Sequence, residues 1–287
     1  MRRVALVTSS KFPELTADDR LLLAPLAEHG IQGEATVWDD SALDWLAYDA
    51  IVLRSTWDYH LKPGKFLRWV DSLAGARAPL WNPPTLIGWN ANKAYLRDLD
   101  ARGVAIVPTF WPEAGERATL RERLQTLDWR KAVVKPRISA TAYRTELVAV
   151  EDANSAQPLL DELLAGPGVM VQKFMDSIVD EGEWSLMFFD GVFSHAVLKT
   201  PASGDFRVQS DFGGSDRLAD PPAHVLQSVN QIIQSVEPTL YARVDGVVES
   251  NQFLLMELEL IEPALFLSSH PAALARFAEA IVRKLPL

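Results

Sequence analysis

Cysteine is absent from all 287 residues. That excludes disulfides, thiolate metal sites and a cysteine nucleophile, and it fits a reducing compartment. No GxGxxG follows the first apolar strand, so the dinucleotide-binding fingerprint is missing. There is no GxSxG elbow and no Ser-His-Asp arrangement. No apolar stretch approaches membrane-spanning length. The N-terminal apolar run, Val4 to Val7, is far too short for the core of a signal peptide, so a cytoplasmic location is expected. Runs of Lys and Arg are also lacking, and the formal net charge is −10. A polyanion-binding protein carries a basic patch, so nucleic acid is not an expected partner. A small anionic ligand needs only a few placed cations and stays open. What is present is a folding composition: 48% hydrophobic and 23% charged, enough to bury a core without staples.

Residues 3–8 read as a buried strand, 16–29 as a helix with Asp18 and Asp19 in its first turn, and 35–38 and 49–54 as further strands. This alternation argues for a small parallel sheet covered by helices. Trp81-Asn82-Pro83-Pro84 marks a break. Beyond it, 85–102 reads as one helix carrying Asn90 and Lys93, 106–110 as a strand, and 131–136 as a strand holding Lys135. A small-residue loop at 138–145 precedes a helix at 152–164 and a strand at 169–174. Strands 183–189 and 192–200 flank Asp190-Gly191, the strongest hairpin signal in the chain. Residues 203–216 read as a polar loop, and 221–236 and 271–285 as helices.

A second hairpin pairs 241–249 with 253–261 around the turn residues Ser250, Asn251 and Gln252. Glu257 and Glu259 are two apart and share a face. A three-residue loop centred on Asn251 sets Asp245 opposite Glu257 and Arg243 opposite Glu259. A two-residue loop at Ser250-Asn251 would set Asp245 opposite Met256 instead. Like charges face to face destabilise a sheet. Alone, the hairpin favours a solvated acidic face. A cation is the other reading, and all-oxygen ligands suit Mg²⁺, Mn²⁺ or Ca²⁺ rather than zinc. In the first hairpin an ideal two-residue loop pairs Glu183 with Leu198 and turns Lys199 to the far face, unless a bulge intervenes or Lys199 approaches from beyond the end.

Arg54-Ser55-Thr56-Trp57-Asp58-Tyr59-His60 follows the third strand, at the strand end where ligands collect in open α/β sheets. Arg54 could pair bidentately with a carboxylate and Asp58 could hold an ammonium. With Trp57 and Tyr59 they are candidate contacts for a small amino-acid-like substrate. A capping loop with a packed Trp is the alternative.

The order of Lys93, Lys135, the small-residue loop, Gln172-Lys173-Phe174, Glu183, Lys199, Arg207, Asp245, Glu257 and Glu259 resembles the ATP-grasp enzymes, in the branch of glutathione synthetase and ribosomal-protein glutamate ligase. The spacing of GEWSLMFFDG, then KTP, then Asp245 before ELE is similar to that family's. The Arg54 loop followed by WNPP is similar to the branch with the cycloserine-forming ligase. The resemblance implies an α/β fold of ATP-grasp type: a substrate domain over 1–84, a central lobe over 85–174 and a C-terminal lobe over 175–287, enclosing ATP. It implies Lys93, Lys135, Ser139 and Thr141 at the phosphates, Gln172, Lys173 and Phe174 at the adenine, and Glu183 at the ribose. Lys199 and Arg207 would be the catalytic cations at the γ-phosphate. Asp245, Glu257 and Glu259 would hold one or two Mg²⁺ (or Mn²⁺). The implied reaction is carboxylate–amine ligation through an acyl-phosphate, in a homodimer or homotetramer. The chain departs from the pattern at three places, the ideal-loop register of Lys199 being one. Its phosphate loop, Ser139 to Ala142, contains no glycine, and Glu259 stands where relatives usually carry Asn. Two other readings stand beside this one: a ligase that cyclises a single substrate, and a nucleotide-binding protein without ligase turnover.

Overall fold

A computed structural model describes residues 1–113, 119–166, 168–205, 207–208 and 212–285. The first unit is a parallel sheet of β1 (Arg2–Thr8), β2 (Ile31–Val37), β3 (Ala50–Ser55) and β4 (Leu80–Trp81), in the order β2-β1-β3-β4. Its central strand is buried on both faces: Val4 and Leu6 pack into one apolar cluster, Ala5 and Val7 into another. Two-sided burial explains why β1 reads as a continuous apolar run.

The helix expected at 16–29 is two short helices, Ala17–Arg20 and Leu23–Glu28. Pro25 has no N–H to give and its ring clashes with the carbonyl four residues back, so a continuous helix cannot pass Leu21. The helix expected at 85–102 is also interrupted, into Pro84–Asn90 and Tyr95–Ala101. At the break, the Asn92 side chain accepts from the Ala94 N–H, and the Lys93 N–H donates to the Arg137 carbonyl at 2.7 Å. This interruption hands Lys93 to the neighbouring loop.

The second sheet is antiparallel: β5 (Thr109–Phe110), β6 (Lys131–Pro136), β7 (Glu146–Ala149) and β8 (Val169–Lys173), ordered β5-β8-β6-β7. Helices Leu120–Thr126 and Ala153–Leu164 pack their apolar faces on it. Thr119 and Glu122 close a capping box at the start of the first of these, which satisfies two otherwise orphaned backbone donors.

The third sheet holds β9 (Glu183–Phe189), β10 (Val192–Thr200), β11 (Ser215–Leu218), β12 (Tyr241–Glu249) and β13 (Gln252–Glu259), ordered β11-β10-β9-β12-β13. β11 falls at the end of the expected 203–216 loop, which otherwise lies partly outside the described residues. The outer edge of β13 is covered, because Leu255 exchanges backbone hydrogen bonds with Ala105 and Val107. Among the described residues no helix is long and apolar enough to cross a membrane.

Both hairpins of this sheet contain a bulge, and both bulges matter. In the second, the loop is two residues, Ser250 and Asn251, with φ of 49° and 63°. The expectation of a three-residue loop is therefore corrected. The register then slips by one between Gly246 and Asp245, so Asp245 still faces Glu257 and Arg243 still faces Glu259. Gly246 makes the slip possible: a Cβ there would sit 2.4 Å from the Leu254 carbonyl oxygen. In the first hairpin the two-residue Asp190-Gly191 loop is followed by a shift between Phe193 and His195, which brings Lys199 opposite Glu183.

Candidate active site

The two bulges assemble one row of charge across four strands. Lys199 on β10 faces Glu183 on β9, Asp245 on β12 faces Ser185 on β9 and Glu257 on β13, and Arg243 faces Glu259. The Lys199 ammonium donates to Glu183 at 2.6 Å and to Asp245 at 3.4 Å. Arg243 donates to Asp245 at 2.9–3.2 Å, to Glu259, and to the Ala264 carbonyl at 2.9 Å. Ser185 donates to Asp245 at 2.5 Å. From the interrupted helix, Lys93 reaches Glu257 at 2.7 Å and the Ser139 carbonyl at 2.8 Å. The acidic face is thus not a solvated face, because buried Lys93, Lys199 and Arg243 hold its acids.

The electrostatics follow from that burial. Burial would raise Asp245, but Arg243 and Lys199 hold it at about 2. Burial likewise opposes ionisation of Glu257, yet Lys93 and Lys135 hold it below the usual carboxylate range. Glu259 is pushed up to about 7 by burial, against Arg243. Glu183 is raised by burial despite Lys199. Burial holds Lys135 below the usual lysine range, against the pull of Glu257. Such perturbed groups gathered in one cleft mark a candidate functional site.

Of the other residues expected at a nucleotide, Lys135, Gln172 and Lys173 lie on the second sheet. Lys135 donates to the Gln172 side chain at 3.2 Å across β6 and β8. Ser139 is buried and donates to the Pro136 carbonyl. Thr141 is exposed, and Thr141 and Ala142 adopt φ of 51° and 54° without glycine. Lys173 and Phe174 line a cleft of about 290 Å³ with Met175, Val248 and Ser250. Arg207 is gripped by Asp205 at 2.7 Å and lies over the Phe212 ring.

The substrate loop differs most from expectation. Arg54 is 1% exposed. The register shift between Val7 and Thr8 leaves it unpaired in β3 and turned inward, where it bonds Asp19 at 2.9 Å and the Pro263 carbonyl at 2.8 Å and lies over Tyr241. Its guanidinium is a structural tie, not a free carboxylate fork. Asp58 is also engaged: the Trp38 indole donates to it at 2.8 Å and Lys62 lies 3.6 Å away. The Trp57 indole donates to the Glu262 carbonyl at 2.9 Å. Tyr59 is buried, and burial lifts its hydroxyl well above the usual range, with Glu262 adding to the effect.

For a divalent cation the donor chemistry fits in part. Glu257 and Glu259 keep 28% and 24% of their side chains exposed on one face. They supply hard oxygen donors of the kind Mg²⁺ takes, usually one or two carboxylates beside substrate phosphates. Asp245 is 5% exposed with both oxygens engaged. Among the described residues no three acidic or histidine side chains converge as a metal-holding group. The three acids share one face as expected, since Asp245 pairs with Glu257 across β12 and β13, but Asp245 is the most buried of them and already holds Lys199 and Arg243.

Sequence reasoning missed Asn82 and Asn90. Asn82 holds the Leu240, Tyr241 and Leu260 backbones, and Asn90 holds those of Leu258 and Leu260. It also missed Glu262, whose carboxyl burial and Glu259 push up to about 8. Its one sequence signal was a third acid in ELELIEP, out of phase with the other two.

Residues 4–82 match the family described as the N-terminal domain of D-cycloserine synthetase DcsG. The cycloserine biosynthesis protein DcsG of Streptomyces lavendulae is 31% identical over 98% of both chains. The crystal structure of D-cycloserine synthetase DcsG superposes with a TM-score of 0.88 at 29% identity, over 99% of this chain and 100% of the other. D-alanine–D-alanine ligase from Bacillus anthracis complexed with ATP shares the fold, with a TM-score of 0.71 at 17% identity over 99% and 97% of the two chains.

Proposed function

The chain belongs to the ATP-grasp ligases, in the family of the cycloserine biosynthesis protein DcsG, and is an ATP-dependent enzyme that joins a carboxylate to an amine; from that footing we propose that both groups belong to one small amino-acid-like molecule and that the product is a ring. The observation that carries the site is the row of buried, mutually bonded charges from Lys199 to Glu259. Phosphoryl transfer calls for positioning and charge neutralisation more than for a covalent protein group, and this row supplies both. The likeness to DcsG over 98% of the chain supports ring closure over joining two molecules.

In this reading a substrate carboxylate oxygen attacks the γ-phosphorus and ADP leaves. The amine then attacks the acyl carbon and loses a proton, and phosphate departs carrying one former carboxylate oxygen. Lys93, Lys135, Lys199 and Arg243 bind phosphate oxygens, and Ser139 and Thr141 border them. Gln172, Lys173 and Phe174 border the adenine, and Glu183 the ribose. Arg207 meets the developing negative charge. Mg²⁺ or Mn²⁺ bound at Glu257 and Glu259 would neutralise phosphate charge. Asp245 joins them to the extent that phosphate oxygens replace it as partner of Lys199 and Arg243. Trp57 and Tyr59 stay as substrate-side walls, and Arg54 and Asp58 support them from behind. We also propose the division into a substrate domain over 1–84 and two ATP-grasp lobes over 85–174 and 175–287.

The test is incubation with ATP, Mg²⁺ and pooled small D- and L-amino acids, including the ring-opened amino acid of cycloserine. Phosphate release and product mass are followed together. A product of one substrate molecule less one water is expected. A product of two molecules less one water replaces the ring by a linear ligation, and ATP binding without substrate-stimulated phosphate release rejects the ligase.

A further inference from the structure

We infer that Glu262, with the hydroxyls of Ser9 and Thr56 at the ends of β1 and β3, forms the subsite that receives the primary ammonium of the substrate. This deepens the ring-closing reading and rests on it. The first observation is an unpaired carboxyl group. Every other acid of the cleft has a cation or donor on it, but the Glu262 side chain makes no hydrogen bond or ion pair with any described residue. Its backbone is fixed instead: its carbonyl accepts from the Trp57 indole at 2.9 Å, and the next carbonyl, of Pro263, accepts from Arg54 at 2.8 Å. Two side chains of the first unit thus pin residues 262–263 against the carboxyl end of β3. At this half-buried place the charged form of the carboxyl is unfavourable without a partner, and a ligand cation is the partner it lacks.

The second observation is independent. Ser9 and Thr56 follow directly on β1 and β3, at the carboxyl ends of two neighbouring parallel strands. Ser9 is 1% and Thr56 0% exposed, and neither hydroxyl has a hydrogen-bond partner. Buried polar atoms are almost always bonded, and each exception calls for an explanation. Two orphan hydroxyls on one strand edge, with Trp57 linking Thr56's own loop to Glu262, are explained by a polar ligand that occupies that edge. The sites first expected to do this work are taken: Asp58 by Trp38 and Lys62, Arg54 by Asp19. The ligand class is a small molecule bearing a primary ammonium within a few bonds of the reacting carboxyl group.

The test is calorimetric binding of D-cycloserine, the product this reading assigns, against isoxazolidin-3-one, the same ring without the amino group. Both are titrated in the presence of ADP and Mg²⁺. Wild type is expected to favour D-cycloserine. Glu262→Gln is expected to weaken D-cycloserine about tenfold or more, to bind the two rings alike, and to keep its affinity for ADP. Ser9→Ala and Thr56→Val are expected to weaken D-cycloserine several-fold while the melting temperature holds or rises, since neither hydroxyl has a protein partner to lose. Glu262→Gln retaining the wild-type preference for the amino ring overturns the subsite. Thr56→Val that melts lower and binds normally overturns the part assigned to the hydroxyls. Failure of wild type to bind either ring or to release phosphate with amino acids instead rejects the ring-closing reading itself.

Discussion

The loop after β3 and the hairpin of β12 and β13 carry similar side chains and use them in opposite ways. Around β3, Arg54 and Asp58 are consumed by neighbours: Asp19 and the Pro263 carbonyl for one, Trp38 and Lys62 for the other. In the hairpin, Asp245, Glu257 and Glu259 are also bonded, but to buried cations gathered along one row of charge. Arg54 ties β3 to the first helix and to the Pro263 carbonyl, whereas in the proposed function the hairpin charges trade one partner for a phosphate. The lesson is that an ionic group's role follows from what its partner can give up. A buried pair is weak support for stability in itself, but removing one member leaves an uncompensated charge.

That contrast is open to test at several strengths. Arg54→Met leaves Asp19 buried without its cation and should destabilise the protein by about 3–5 kcal/mol in urea unfolding, with affinity for ADP close to wild type where the variant is folded. A stable Arg54→Met protein with a raised KM would return Arg54 to the substrate. Glu257→Gln should do the reverse: turnover falls by about 10²–10³, while the melting temperature moves little because Lys93 keeps the Ser139 carbonyl as a partner. Gly246→Ala tests the bulge. Its Cβ would press on the Leu254 carbonyl oxygen, and relief by a register slip would move Asp245 off Glu257. The expected loss is about 1–3 kcal/mol of stability, with a larger proportional loss of ATP turnover, read by denaturation and phosphate release on one preparation.

The smallest effect is a pH drift. Glu259 and Glu262 rise by burial to about 7 and about 8, from an ordinary 4.5. The folded state therefore holds their protons to higher pH than the unfolded state does. Their contribution to stability without nucleotide is fully present below the ordinary value and declines as pH rises through the folded values. Asp245, held at about 2, acts in the opposite sense and only in acid. Melting curves across this range should show the decline, and Glu259→Gln with Glu262→Gln should flatten it; a flat wild-type curve would contradict the burial argument.

Much of the fold was legible because its signals are local. The apolar run of β1, the Asp190-Gly191 turn and the acid spacing on β13 each specify an element within a few residues. The pairing of Asp245 with Glu257 was read correctly from a loop of the wrong length, because a missing loop residue and an added bulge residue cancel. A bulge leaves little trace beyond a glycine such as Gly246. The break at Lys93 was missed because helical spacing persists through residues 91–94, and only the distant Arg137 carbonyl shows where the backbone bond goes. Arg54, Asp58 and Glu262 were misjudged or overlooked for the same reason: their partners, or the lack of one, lie far away in sequence.

The central claim of the proposed function is that a substrate carboxylate is phosphorylated beside Lys199 and Arg243. The most direct measurement uses substrate labelled with ¹⁸O in both carboxyl oxygens, with the inorganic phosphate analysed by mass after turnover. One ¹⁸O per phosphate released is the predicted result, because the oxygen that attacks the γ-phosphorus leaves with it when the amine closes on the acyl carbon. Phosphate free of ¹⁸O alongside product would contradict it, placing the bond-forming step on a route that never joins carboxylate to phosphate.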